Sequence, residues 1–312
     1  MNYKYIEICR YICFAVFFSL TIDTGIFAQN SNFSEQEKDL KTLFDTLFTN
    51  NGVKYYLPDD VKDKINNQII EIFDDILYQP GAFDYNFDSL NKVGKIVSFD
   101  KKLKILSWNI QYSNGGYKYF AYMLYKYNKK KTHTVYKLID KTELNNTILH
   151  QVLFDTNWYG ALYYNIIDVK SNGRNYYTLL GWDGNDYYST KKVIDVVYFK
   201  KRGGLFIGKE IFVSDTLTTS RVIFEYSEKS VMSLNYNEDL GMIVFDYLVP
   251  PSSIYVGKYQ FYGPDGTYEA FAFERGKWYR YSNIDISLLK NKNYRAGKKK
   301  KHIQAKRIYS NE

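Results

Sequence analysis

Cysteine is nearly absent from this chain of 312 residues. Cys9 and Cys13 are the two present, and both lie before residue 29. From there on no disulfide, thiolate nucleophile or cysteine metal ligand can form. A large exported domain tolerates this, because it can be stabilised by burial without covalent staples. Histidine is almost as scarce: His133, His150 and His302 complete the set. None has a second histidine or a carboxylate at a spacing such as H-E-x-x-H, so no zinc site and no histidine-based triad is expected. No cofactor motif occurs, and no cofactor is expected. Long apolar runs are also missing. The longest near the start, Tyr11 to Leu20, is interrupted by Ser19 and falls short of the roughly 20 residues a membrane helix needs.

That short run reads as the hydrophobic part of a secretory leader. Lys4 and Arg10 precede it, and Gly25-Ile26-Phe27-Ala28 supplies small residues at a cleavage position after Ala28, although Glu7 and Asp23 run against the pattern. Neither cysteine sits in a lipidation box. The expectation is export to the periplasm or beyond, with no membrane span after cleavage.

The net charge of +8 belongs to the C-terminus. Nine lysines and arginines from Lys290 to Arg307 face one acid, Glu312, and the rest of the chain is balanced. Residues 286–312 are therefore expected to be a basic, disordered tail, a possible partner for an anionic polymer through its phosphate or sulfate groups. No RNP motif or zinc finger accompanies it, so specific nucleic-acid recognition is not expected.

Aromatic residues, by contrast, are abundant: 19% of the chain, including 33 Tyr and 21 Phe. AT-rich codons favour such a composition, and so do strands, where a tyrosine ring packs while its hydroxyl reaches water. Two helices come first. Ser34 to Phe48 carries Leu40, Leu43, Phe44 and Leu47 at helical spacing, with Ser34 and Glu37 at capping-box distance. Asp59 to Leu77 carries Val61, Ile65, Ile69, Ile72, Phe73 and Ile76. From about Lys95 the period drops to two. Strands are expected at Lys104 to Tyr112, Tyr117 to Tyr127, Thr132 to Ile139, Ala161 to Lys170, Asn175 to Trp182, Val193 to Phe199 and Leu205 to Phe212. Arg221 to Tyr226, Ser230 to Tyr236 and Met242 to Leu248 read as a three-strand meander, followed by Tyr259 to Tyr262, Thr267 to Glu274 and Lys277 to Tyr281. Asn-Gly and Asp-Gly turns separate many of them. The fold class is mainly β: an antiparallel meander forming a sandwich, barrel or propeller-like unit, preceded by a two-helix segment. The expected divisions are a leader over 1–28, a helical segment over 29–92, a β domain over 93–285 and the tail.

Candidate chemistry is thin. Asp246, Glu225, Glu269 and Glu274 lie in strands and could supply the two carboxylates of a polysaccharide hydrolase. Asp183-Gly184-Asn185-Asp186 resembles part of a calcium loop, but the twelve-residue spacing with a terminal Glu is missing and a hairpin turn is the simpler reading. Four tryptophans could fill a β core or stack on sugars. Trp158, Tyr159, Trp182, Asp183 and Asp186 form the candidate ligand-binding set, with no catalytic and no metal residues assigned. The expected function is non-catalytic binding of a glycan or another envelope component, with the carboxylate-dependent hydrolase as the alternative. An outer-membrane barrel would need a continuous apolar outer band, which the polar residues of Ser230 to Asn235 oppose.

The strings Trp158 to Ile167 (WYGALYYNII), Tyr176 to Asp186 (YYTLLGWDGND), Arg221 to Ser227 (RVIFEYS) and Tyr259 to Phe271 (YQFYGPDGTYEAF) resemble a family of uncharacterised exported proteins of the Bacteroidota. The resemblance covers about Lys95 to Asn283. It implies an envelope or secreted location in a Gram-negative cell and no particular activity, and it does not account for the basic tail.

Overall fold

Apolar spacing dictates the two helices. The computed structural model describes residues 33–48, 57–127, 132–142, 148–201, 203–215, 217–285 and 306–307. Residues 1–28, expected to be a leader, and most of the expected tail over 286–312 lie outside these. Helix α1 spans 33–47 and α2 spans Asp59–Leu77. Leu40 and Phe44 of α1 and Ile69, Phe73 and Ile76 of α2 are buried, and the Phe44 and Phe73 rings meet at 6.2 Å. Glu37 does not turn back to cap its own helix. Buried among apolar neighbours, its carboxylate accepts hydrogen bonds from the Tyr85 hydroxyl (2.5 Å), the Ser89 amide (2.7 Å) and the Ser89 hydroxyl (2.8 Å). Two compact units result, one ending at Lys92 and the other beginning at Val93.

The second unit is antiparallel β almost throughout. Its first sheet has the order β1 (Gly94–Val97), β2 (Leu103–Gln111), β3 (Tyr117–Tyr125), β4 (Thr134–Ile139). A five-stranded sheet runs β11 (Val222–Ser227), β7 (Ser189–Phe199), β6 (Arg174–Asp183), β5 (Leu162–Ser171), with β8 (Leu205–Ile207) paired to β7. A seven-stranded sheet runs β10 (Leu217–Thr219), β9 (Phe212–Ser214), β15 (Lys277–Ser282), β14 (Gly263–Glu274), β13 (Met242–Val249), β12 (Leu234–Asn237). Within the tail, Lys306–Arg307 add β16 to β15. The β9–β15 pair is parallel. No closed barrel forms among the described residues.

Side-chain alternation shows how these sheets stack. Tyr177, Leu179, Val193 and Val197 of the five-stranded sheet pack with Ile105, Tyr119, Ala121 and Met123 of the four-stranded sheet. Their neighbours Tyr176, Leu180, Ile194 and Val196 point the other way and pack with Phe212, Ile243, Phe245, Phe271 and Trp278 of the seven-stranded sheet. The unit is thus three layers deep, and the five-stranded sheet has protein on both faces. This explains why Tyr176 to Trp182 of β6 and Val193 to Phe199 of β7 read as mostly apolar runs rather than clean alternation.

Several strands differ from the sequence expectation. Leu205 to Phe212 is two strands, because the backbone breaks at Gly208 (φ 99°). A Cβ there would lie 2.7 Å from the Gln151 carbonyl oxygen and 2.9 Å from the Arg221 guanidinium. The expected meander is divided: β11 pairs with β7, whereas β12 and β13 belong to the seven-stranded sheet. Tyr259 to Tyr262 is no strand, since Tyr259–Phe261 form a 3₁₀ turn.

A middle layer cannot leave a charge unpartnered, and Arg221 with Asp195 meets that condition. Both side chains are fully buried, with Nε 3.2 Å from Oδ2. Asp195 also accepts from the Val196 amide (2.8 Å), while Arg221 donates to the carbonyls of Ile148, Gln151 and Ile207. One guanidinium, just before β11, therefore links the 148–151 segment to β8 and to Asp195 of β7. Arg221→Met strands the Asp195 carboxylate and is expected to lower the unfolding free energy by about 3–5 kcal/mol. The double variant Arg221→Met/Asp195→Leu should recover part of that loss, measured by urea denaturation. A single variant as stable as the parent would refute this account.

Candidate functional site

The end of the β6–β7 hairpin gathers the most chemistry. Asp183 ends β6 and Gly184 to Tyr188 form the connection to β7, with Asn185 at φ 52°, a conformation asparagine tolerates. Beneath it, Asp183 is buried on the four-stranded-sheet side. Its Oδ1 accepts from the Tyr119 hydroxyl (2.9 Å) and the Asn185 amide (2.8 Å), and its Oδ2 accepts from the Tyr159 hydroxyl (2.6 Å). The Tyr119 hydroxyl in turn accepts from the Gly184 amide at 2.7 Å. Burial first, and then the Asp183 charge, push both tyrosine hydroxyls upward, so they are fixed as donors. Asp140 stands nearby and accepts from the Tyr119 amide at 2.8 Å. Its pKa is raised chiefly by burial, against hydrogen bonds that lower it. A Cβ on Gly160 would lie 2.6 Å from Asp140 and Tyr119, and one on Gly184 would lie 2.4 Å from the Tyr117 ring.

The oxygens of the Asp-Gly-Asn-Asp string are turned to separate donors. Asp186 accepts from the Tyr188 (2.7 Å) and Ser189 (2.9 Å) amides, and Asn185 Oδ1 accepts from Lys191 at 2.7 Å. Among the described residues no group of three or more His, Cys, Asp or Glu is placed to hold a metal ion. The four strand carboxylates also have separate partners: Glu225 with Ser189, Asp246 with the Ser233 amide, Glu269 with Arg280 and Glu274 with Tyr281.

On the opposite face of the same hairpin the setting is aromatic and half open to water. Trp182 lies across from Lys192, and Lys192 lies across from Phe224. Directly opposed residues of antiparallel strands share a face. A β-bulge between Tyr163 and Asn165 adds Tyr164 to this group. Tyr163 stays in the core at 1% exposure, while Tyr164 is 38% exposed, sits under the Lys192 ammonium at 4.9 Å and donates to the Leu234 carbonyl at 2.8 Å. Trp182 meets Tyr117 edge-on at 5.5 Å. Among the described residues no carboxylate pairs with Lys192, and its partial burial lowers its pKa.

Further aromatics stand at the hairpin tip. Tyr187 and Tyr188 are 58% and 71% exposed. Tyr187 is held in place by its hydroxyl, which donates to the Ser113 carbonyl at 2.7 Å. The Glu228 amide donates to the Tyr188 carbonyl, and the Ser227 amide to the Tyr262 carbonyl. These bonds join the tip to the β13–β14 connection, where Ile254, Val256, Tyr259 and Phe261 are exposed.

The residues expected from sequence are therefore dispersed. Tyr159 and Asp183 are bonded to each other but buried. Trp158 is completely buried, its Nε1 donating to the Tyr163 hydroxyl at 3.0 Å, and its ring faces only protein. Trp182 is half exposed, and Asp186 is exposed. Sequence reasoning missed Tyr119, Tyr164, Tyr187, Tyr188 and Lys192. The signal for Lys192 was its place between Thr190 and Ile194, which extends the alternation of β7 by two steps.

By fold and site this is a three-layer antiparallel β protein with an aromatic, lysine-bearing hairpin end on its middle layer. Comparisons with protein-family models, curated proteins and solved structures find no match.

Tyr119→Phe and Tyr159→Phe each remove one donor from a buried carboxylate and should destabilise the fold by about 1–3 kcal/mol, seen in thermal unfolding. Lys192 should titrate below the exposed lysines when followed by NMR of dimethylated amines. An ordinary lysine titration would mean that Lys192 is better solvated than its partial burial indicates.

Proposed function

We propose that this protein is an exported, non-catalytic binder of a glycan in the bacterial envelope. The observation that carries the reading is the hairpin end itself, where Trp182, Tyr164, Tyr187 and Tyr188 are at least partly exposed on a rigid, hydrogen-bonded support. Sugar rings present apolar C–H faces that stack on aromatic rings, and a preordered ring loses little entropy on binding. Asp186 and Glu228, both exposed, and the edge of Lys192 supply polar contacts for hydroxyl groups. Specificity in such sites comes from a few fixed polar groups beside a larger apolar area. The leader-like first 28 residues support export. The separate partners of the strand carboxylates favour binding over hydrolysis, because a hydrolytic pair must face one bond together.

A glycan array with the chain from residue 29 tests this. Retention of at least one bacterial or host polysaccharide is expected. Trp182→Ala and Tyr188→Ala should each weaken it by about tenfold, while Phe99→Ala, an exposed aromatic in the β1–β2 turn, should leave it unchanged. Absence of retention across the array removes the reading.

A further inference from the structure

At this hairpin end the Lys192 ammonium has no counter-ion among the described residues. Lys192 emerges between the five- and seven-stranded sheets, flanked by Trp182 and Phe224 across the strands and by the Tyr164 ring at 4.9 Å. Phe224 in turn touches Phe245 of β13, with ring centroids 4.7 Å apart, so aromatic side chains from both layers wall the site. Two other half-buried cations of this unit do have carboxylates: Arg280 bonds Glu269 at 2.6 Å, and Lys191 lies 3.9 Å from Glu225. Lys209 rests on ring faces as Lys192 does, over Tyr176 at 5.0 Å and Tyr198 at 5.9 Å. Among the described residues Lys192 has only the Tyr164 ring face, which attracts a cation far less than an anion does once water is excluded.

We propose that Lys192 receives the anionic substituent of an acidic saccharide, a carboxylate or sulfate group, while Trp182 and Tyr164 stack on its rings. This rests on the glycan-binding reading and names the class of glycan. A ligand anion would supply the charge partner the fold omits, and a lysine ammonium accommodates either group because it acts as a point charge rather than a planar fork. A neutral sugar in the same place would leave the ammonium partly desolvated and still unpaired, so selectivity for acidic sugars follows from what the neutral ligand lacks.

The experiment compares three probes by calorimetry: trigalacturonate, its methyl ester, and a sulfated trisaccharide of similar size. The parent chain should bind the charged probes more tightly than the ester by about ten- to a hundredfold, the range of one charge-assisted hydrogen bond. The arm that binds more tightly identifies carboxylate or sulfate. Because the C-terminal lysines could also attract anions, Lys192→Met is measured alongside: it should abolish the preference while keeping the ester's affinity. Should that variant fold poorly, the dimethyl-Lys192 resonance of the parent must shift on adding the charged probe. Equal affinity for acid and ester overturns the proposal and leaves glycan binding standing, as does a preference that survives Lys192→Met or an unmoved resonance. Failure to bind any of the probes, together with an empty glycan array, overturns both.

Discussion

A sheet covered by protein on both faces must supply its own partner for every polar side chain it carries. The middle layer of the β unit obeys this constraint, and much of the structure follows from it. Thr178 accepts from the Trp278 indole at 3.0 Å toward one layer. Asp183 takes two tyrosine hydroxyls from the other side, and Asp195 takes Arg221. Each is a point where the layers are fixed in register as well as packed. Apolar contact alone is non-directional and would tolerate sliding. A buried hydrogen bond does not, because breaking it leaves an unsatisfied group at a cost of about 1–3 kcal/mol.

The same constraint defines the candidate site by its exception. At the β6–β7 end the middle sheet runs out from between its covers, and its side chains become half exposed. Asp183, on one face, is still fully satisfied. Lys192, on the other, has no carboxylate partner among the described residues. The bulge at Tyr164 produces this asymmetry: the extra residue keeps Tyr163 in the core and brings a second aromatic ring beside the lysine. The buried Tyr119–Asp183–Tyr159 group then reads as a support. It holds the turn so that Trp182, Tyr187 and Tyr188 have fixed positions, and rigid support is what a stacking surface requires.

Much of the architecture was legible in the residues. The apolar stripe of α2 gave its limits, and several hairpins were marked by their Asn-Gly, Asp-Gly or Arg-Gly turns, such as Asn172-Gly173 and Arg275-Gly276. The site was legible only in part. Trp158 and Trp182 look equivalent in the sequence, each an aromatic near a glycine, yet one is enclosed and the other half open. Lys191-Lys192 looks like the polar end of a turn, yet the two lysines face opposite sides of a strand, one beside Glu225 and one beside Tyr164.

Local pattern determined the element types, because periods of two and 3.6 and the turn chemistry act over a few residues. It also determined the scarcity of thiol and imidazole chemistry and the placement of the net charge in the tail. Tertiary structure alone decided that β11 leaves its sequence neighbours to pair with β7, that one sheet lies between two others, and which aromatics remain in reach of water. Those outcomes depend on contacts between residues far apart in the chain, such as Tyr119 with Asp183 and Arg221 with Asp195, and alternation along a single strand carries no information about what will cover each face.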